Sequence, residues 1–353
     1  MTEIKAALRF WWRAMNYGLV AGPQGSIAKL AEHESALFGS TKGQSPFLLR
    51  LTVNSIDTAL PSKSAAALVT HEASRYLGYG LTENGANRYG RDAGAATTFT
   101  IELILKVRAV ELGHQPEYIK ALKLFGLFGG LGYRSRRGFG SVSLLKLWAN
   151  GKDELLPNPA ASYEQLFQVQ GLLGQCPTVP EISPPEYSAF VKNANFCRVV
   201  LVNQPSSPFT TGMNALDAVA IKFKTLLTSP VRGVARSQNG RAVNTSDVSW
   251  AYMGLPRKYA FGPLDHKPVA MEQASRLAEL NRRASPLLFH VHKAGAMDYR
   301  VVALFLKSRF LPDGYGVSAG GGQVDPLPTP PASGYGWIDD WLTGIGIEIK
   351  STA

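Results

Sequence analysis

The sequence predicts an α+β protein made of two mixed units. Three observations predict it. Apolar and polar residues alternate at 47–54, 98–108, 196–203, 287–293 and 299–309, as in half-buried strands. Stripes at three- and four-residue steps mark helices at the N-terminus and over 117–127 and 215–228. A proline-rich interval, with Pro157, Pro159, Pro177, Pro180, Pro184 and Pro185, separates the two sets. With 353 residues, 45% of them apolar, the chain is long enough for two cores.

The first unit, 1–150, opens on a helix. Ile4, Leu8, Trp11, Trp12, Met15 and Leu19 form one apolar stripe, while Lys5, Arg9 and Arg13 form a basic stripe beside it, with Asn16 on the same face. Trp12 falls on the border. A guanidinium grips phosphate oxygens in pairs, and a border indole stacks on a base or on an arginine plane. The other account is that both indoles are core and the basic stripe is solvated. In the strand at 47–54, Phe47, Leu49, Leu51 and Val53 share a face, and at 98–108 Phe99, Ile101, Leu103, Leu105 and Val107 do so. A helix over 117–127 and a strand over 141–147 close the unit.

Residues 151–190 read as a linker with a short helix at 163–172. The second unit, 191–353, follows a β-α-β-β-α-β order: a strand at 196–203, a helix with Leu216, Val219, Ala220, Phe223 and Leu227 on one stripe, strands at 287–293 and 299–309, and a last strand at 345–350. The Gly- and Pro-rich stretch 311–336 reads as an insertion too broken for a core element, either mobile or reaching a partner. The first unit looks like the second without its opening strand.

Lysine and arginine number 37 and acids 26, a formal net charge of +11. That surplus favours a polyanionic partner. Cys176 and Cys197 fit neither a zinc frame nor a disulfide scaffold and read as reduced thiols. No apolar run reaches membrane-spanning length, and the first residues lack a signal-peptide core, so a cytoplasmic location is expected.

Between the 117–127 helix and the 141–147 strand lies a glycine-rich loop. Gly126, Gly129, Gly130, Gly132, Gly138 and Gly140 surround Arg134, Arg136 and Arg137. Glycines leave N–H groups open as an anion nest, and three arginines add phosphate affinity. A tight connection with solvated arginines is the alternative. The pattern is neither a P-loop nor a dinucleotide turn. Arg257 and Lys258, after Gly254-Leu255-Pro256, are further candidate backbone contacts, as are Arg282 and Arg283. His290 and His292 share a strand face but have no acid close in sequence, so a structural or surface role is expected and no metal site is assigned. Acids near the two strong motifs are sparse and unpaired in sequence, and no set of convergent carboxylates suggests a two-metal nuclease.

The run from Ile4 to Ala14, Ile-Lys-Ala-Ala-Leu-Arg-Phe-Trp-Trp-Arg-Ala, resembles the signature of the first Cmr subunit family of type III-B CRISPR systems, within the RAMP superfamily. Leu37-Phe38-Gly39-Ser40-Thr41 is similar to a second family element, 129–141 to the superfamily's glycine-rich loop, and Arg282-Arg283-Ala284-Ser285-Pro286-Leu287 also fits. The resemblance implies two ferredoxin-like (RRM-like) domains, the first lacking here the opening strand that family members carry. It implies a non-catalytic subunit without cofactor or metal, capping a backbone filament near the crRNA 3′ end. The partners would be crRNA, target RNA and other Cmr-type subunits. The RNA-binding set would be Lys5, Arg9, Trp12, Arg13, Arg134, Arg136, Arg137, Arg257, Lys258, Arg282 and Arg283. Two other functions remain open: a metal-independent endoribonuclease processing crRNA, which needs a histidine base, and an assembly protein whose basic face docks an acidic subunit.

Overall fold

The computed structural model describes residues 1–21, 27–55, 76–78, 81–83, 86–87, 97–150, 152–153, 185, 187–191, 195–203, 208–228, 257–258, 265–270, 284–309, 315–319, 323–325 and 335–349. Helix α1 spans Thr2–Ala21, and α2 spans Ile27–Phe38 and packs against it. Strand β1, Phe47–Ser55, is followed by the two-residue strands β2, Thr82–Glu83, and β3, Ala86–Asn87, which pair with each other. Strand β4, Thr98–Leu105, returns antiparallel to β1. Phe47 faces Leu105, Leu49 faces Leu103, Leu51 faces Ile101 and Val53 faces Phe99, the same-face set that alternation predicts. On the other face Arg50 opposes Glu102 and forms an ion pair of 3.1 Å.

The strand expected to reach residue 108 stops at Leu105. Lys106 donates its N–H to the Pro46 carbonyl, and the chain turns into α3, Val107–Glu111, which buries Ala109. Helix α4, Gln115–Phe128, carries Pro116 and Glu117 in its first turn, both suited to a helix start. The strand expected at 141–147 does not form. After an isolated bridge at Ser141, the chain passes to a two-residue strand β5, Trp148–Ala149, paired with β6, Lys152–Asp153. The helix expected at 163–172 lies outside the described residues.

The second half has ferredoxin-like topology. Strand β7, Cys197–Val202, leads into α5, Gly212–Thr228. Strands β8, Arg257–Lys258, and β9, Asp265–Ala270, come next. Then follow β10, Leu287–Gly295, and β11, Asp298–Leu306. Strands β12, Tyr315–Ala319, and β13, Gln323–Asp325, precede α6, Gly336–Ile345, and β14, Gly346–Glu348. The main sheet runs β10-β11-β7-β14, all antiparallel. Strands β8, β9, β12 and β13 make a second sheet, so part of the 311–336 insertion is a hairpin paired to β9. The strand expected at 345–350 begins one residue later, because α6 runs to Ile345.

The main sheet is buried on both faces. Val200, Val202, Leu287, Phe289, Val301, Ala303 and Phe305 face α5 and α6. Cys197, Val199, Leu201, Leu288, Val302, Leu304 and Leu306 belong to one core with Leu8, Trp11, Phe38, Phe125 and Phe128 of the first half. The near-continuous apolar runs of β7 and β11 follow from this double burial. Cys197, enclosed there, has its thiol pKa pushed up to about 12 by burial.

Candidate nucleic-acid interface

The stripe of α1 is buried as its spacing predicts: Ile4, Leu8, Trp11, Trp12 and Met15 are each at most 3% exposed. Trp11 packs between Phe10, Phe128 and Phe190, with ring centroids 5.0, 5.9 and 6.2 Å away. Its Nε1 lies 2.8 Å from where a Cβ on Gly129 would stand, so the tryptophan motif and the glycine-rich loop fit against each other. The border residue Trp12 is buried too. It packs on Phe38 of α2, and its indole N–H donates to a Glu117 oxygen of α4 at 2.9 Å. Asn16 turns inward, its Nδ2 donating to the Trp12 carbonyl.

The basic stripe meets an acid that sequence reading missed. Glu34 of α2 accepts from Arg9 Nε at 2.5 Å and, through both oxygens, from Arg13 Nη1 at 2.7 and 2.8 Å. Arg9 Nη2 donates to the Gly39 carbonyl at 2.7 Å, closing the end of α2. Arg13 Nε donates to the Tyr187 hydroxyl at 2.9 Å. Burial alone would lower the pKa of Arg13, but the Tyr187 and Glu34 oxygens outweigh it and raise it. The side chains of Arg9 and Arg13 stay 29% and 28% exposed, whereas that of Glu34 is 9% exposed. Lys5 lies 5.6 Å above the Phe47 ring; burial, then the Arg9 charge, lowers its pKa. Glu34 lies 25 residues after Arg9, and its only sequence signal is a lone acid on the apolar face of α2, beside Leu30 and Leu37.

The glycine-rich loop seals the exposed edge of β10. The outward N–H groups of Phe289, Val291 and Lys293 donate to the Arg136 carbonyl, Ser141 Oγ and Ser143 Oγ at 3.0, 3.0 and 2.8 Å. Arg136 Nη1 donates to the Ser285 carbonyl at 3.0 Å, and its guanidinium lies 4.8 Å from the Phe10 ring. Arg137 sits over Phe223 of α5 at 5.1 Å. Gly138, at φ 88°, packs so tightly that a Cβ would stand 2.8 Å from Leu216. At the loop tip, Tyr133 is 51% exposed, with the Arg134 guanidinium 5.2 Å from its ring. Arg134 has a left-handed backbone, φ 66°, and Gly132 has φ 84°. The Gly132 N–H donates to a Glu3 carboxylate oxygen of α1.

Of the predicted set, the structure brings Lys5, Arg9, Arg13, Arg134, Arg136 and Arg137 around α1, α2 and the loop. Arg257 and Lys258 form β8, apart in sequence, and their side chains lie outside the described residues. Arg282 and Arg283 also lie outside them. His290 and His292 do share a face, and both are buried. His290 Nδ1 is 3.0 Å from the Gly129 carbonyl and its Nε2 is 3.4 Å from His292 Nδ1. Burial lowers both pKa values, that of His292 to about 4. Among the described residues no group of three or more His, Cys, Asp or Glu side chains suits a metal ion.

The tryptophan helix and the glycine-rich loop pack in one core with the main sheet of the second half. Residues 2–143 match the model of the RAMP superfamily. The chain also resembles a first Cmr subunit. It is 25% identical over 156 residues to CRISPR system Cmr subunit Cmr1-2 of Pyrococcus furiosus, covering 41% of this chain and 82% of that protein. The crystal structure of Cmr1 from Pyrococcus furiosus in its apo form matches with a TM-score of 0.54 at 20% identity, over 99% of this chain and 90% of that one. That likeness supports the fold alone. A chain of the type III-B Cmr-beta complex bound to cognate target RNA matches at a TM-score of 0.47 and 11% identity, over 97% and 93% of the two chains, too distant to argue from.

Proposed function

We propose that this chain is a non-catalytic RNA-binding subunit of a type III-B CRISPR (Cmr) effector complex, capping the backbone filament near the crRNA 3′ end and contacting guide and target RNA. The sequence match to a Cmr subunit carries this reading. The +11 charge and the basic groups beside an exposed tyrosine at the loop tip support it, because phosphate attraction and base stacking are the two terms of single-strand binding. Arg134 and the exposed edges of Arg9 and Arg13 are the foremost phosphate contacts. Lys5, Arg136, Arg137, Arg257, Lys258, Arg282 and Arg283 add to the same field. Trp12 acts by holding the arginine stripe in place. Exposed apolar residues Leu48 and Ile104 on the outer face of the β1–β4 pair, and Val107, Val110 and Leu112 around α3, offer other Cmr subunits a surface. The site of action is the cytoplasm; among the described residues no helix is long and apolar enough to cross a membrane.

The test is binding of the purified chain to single-stranded RNA across a salt series. Affinity falls steeply with salt, and RNA incubated with the protein in EDTA stays intact. Replacing Arg134 by Glu weakens binding and reduces the salt slope by about one. Cleavage in EDTA would make the chain a metal-independent endoribonuclease instead. Salt-independent or absent binding would leave a protein-docking role.

A further inference from the structure

Protein carboxylates stand at both places where sequence reading expects phosphate, and the two differ in kind. Glu34 is buried and holds Arg9 and Arg13 with three hydrogen bonds. Removing it from between two guanidiniums would break the packing of α1 on α2, so it is a fixed part of the fold. Glu3 is exposed, sits in the first turn of α1, and meets the loop through one bond, from the Gly132 N–H. Gly132 is itself exposed, and a Cβ there would meet nothing within 4 Å, so the space beside its Cα is open. Tyr133 and Arg134 follow directly, an exposed ring and a cation next to an N–H already engaged by an anion.

We propose that Glu3 is an internal competitor of RNA at the loop tip: its carboxylate occupies the Gly132 N–H that an RNA phosphate oxygen takes, and RNA binding displaces it. The inference rests on the RNA-binding reading above. A phosphodiester carries the single negative charge of a carboxylate and accepts from the same N–H, but it also brings a base to stack on Tyr133 and an oxygen to meet Arg134. Displacing Glu3 costs little, because an exposed single-contact anion contributes little. Glu34 cannot be displaced in this way, being shielded and held three times. The loop tip is therefore the exchangeable anion site, whereas Glu34 stays fixed between Arg9 and Arg13.

The test measures the affinity of the full chain for a fluorescent single-stranded oligouridylate, with thermal melts run alongside. Glu3→Gln binds RNA about two- to five-fold more tightly, the factor an exposed ion contact is worth. Glu32→Gln, an equal charge change on exposed α2, leaves affinity unchanged, and Glu34→Gln lowers the melting temperature with no gain in affinity. In an Arg134→Glu background the Glu3→Gln gain disappears. Unchanged or weaker binding by Glu3→Gln overturns the competitor role, and so does a gain matched by Glu32→Gln or persisting with Arg134→Glu. If Arg134→Glu itself leaves affinity at the wild-type value, the loop-tip RNA site falls. If Arg134→Glu weakens binding while Glu3→Gln brings no gain, the competitor role alone falls.

Discussion

Trp11 and Trp12 are adjacent and both buried, but the helix angle settles only the first. Trp11 lies mid-stripe, and a mid-stripe indole is core whatever packs above it. Trp12 lies at the border, where burial depends on elements elsewhere in the chain: Phe38 covers it and Glu117 takes its N–H. Helical periodicity carries no information about those partners. The same limit hid Glu34, since an acid 25 residues away cannot be paired with Arg9 by spacing. His290 and His292 were legible as a pair, because strand alternation puts them on one face, interleaved with Phe289 and Val291. Their burial has a pH consequence. The folded His292 pKa, about 4, lies below the ordinary 6.5, so between those values the unfolded chain binds more protons. Stability is full above pH 6.5 and falls as pH drops toward 4. His290, lowered in the same direction, steepens that loss. Melting temperature measured from pH 7.5 to 4.5 should therefore fall more for the wild type than for a His290→Gln, His292→Gln variant.

Elements with strict alternation and paired length were read well. Strands β1 and β4 match in residue faces and pair in the register that puts both apolar sets together. The stretch 141–147 shows why alternation is not sufficient. Ser141 and Ser143 do alternate with Val142 and Leu144, and the polar set does face a strand. Yet the contact is made by hydroxyls, which replace the carbonyls of a ladder along the β10 edge. Val142 and Leu144 instead donate their backbone N–H groups back to the Gly129 and Gly126 carbonyls. An edge strand needs such cover. Replacing Ser141 and Ser143 by Ala leaves two part-buried N–H groups without acceptors, at about 1–3 kcal/mol each. The double variant should melt at lower temperature, and hydrogen exchange should show the Val291 and Lys293 amides losing protection while β7 amides keep theirs until global unfolding. Equal loss throughout the sheet would assign the serines no specific edge role.

At the scale of the whole molecule the ferredoxin-like order of the second half could be read from the sequence, since its strands are long and apolar and α5 has a clean stripe. Helix α6 was implied by the β-α-β-β-α-β order but given no range, because its ten residues hold Gly336 and Gly344 with two acids among the tryptophans; β8, β9, β12 and β13 were missed because they are short and lie in Gly- and Pro-rich sequence. The joint core was out of reach as well: nothing in a period of 2 or 3.6 says that Trp11 and Phe128 will cover the far face of a sheet in the second half. That core holds the tryptophan helix, the glycine-rich loop and the second-half sheet together. The central claim is that the chain meets RNA at the loop tip. It is tested most directly by ultraviolet crosslinking and mass spectrometry of the chain assembled with Cmr subunits, guide RNA and target RNA. The expected result is nucleotide adducts on the peptide that carries Tyr133 and Arg134. Assembly into the complex with no adduct there, and RNA crosslinks confined to other subunits, would contradict it.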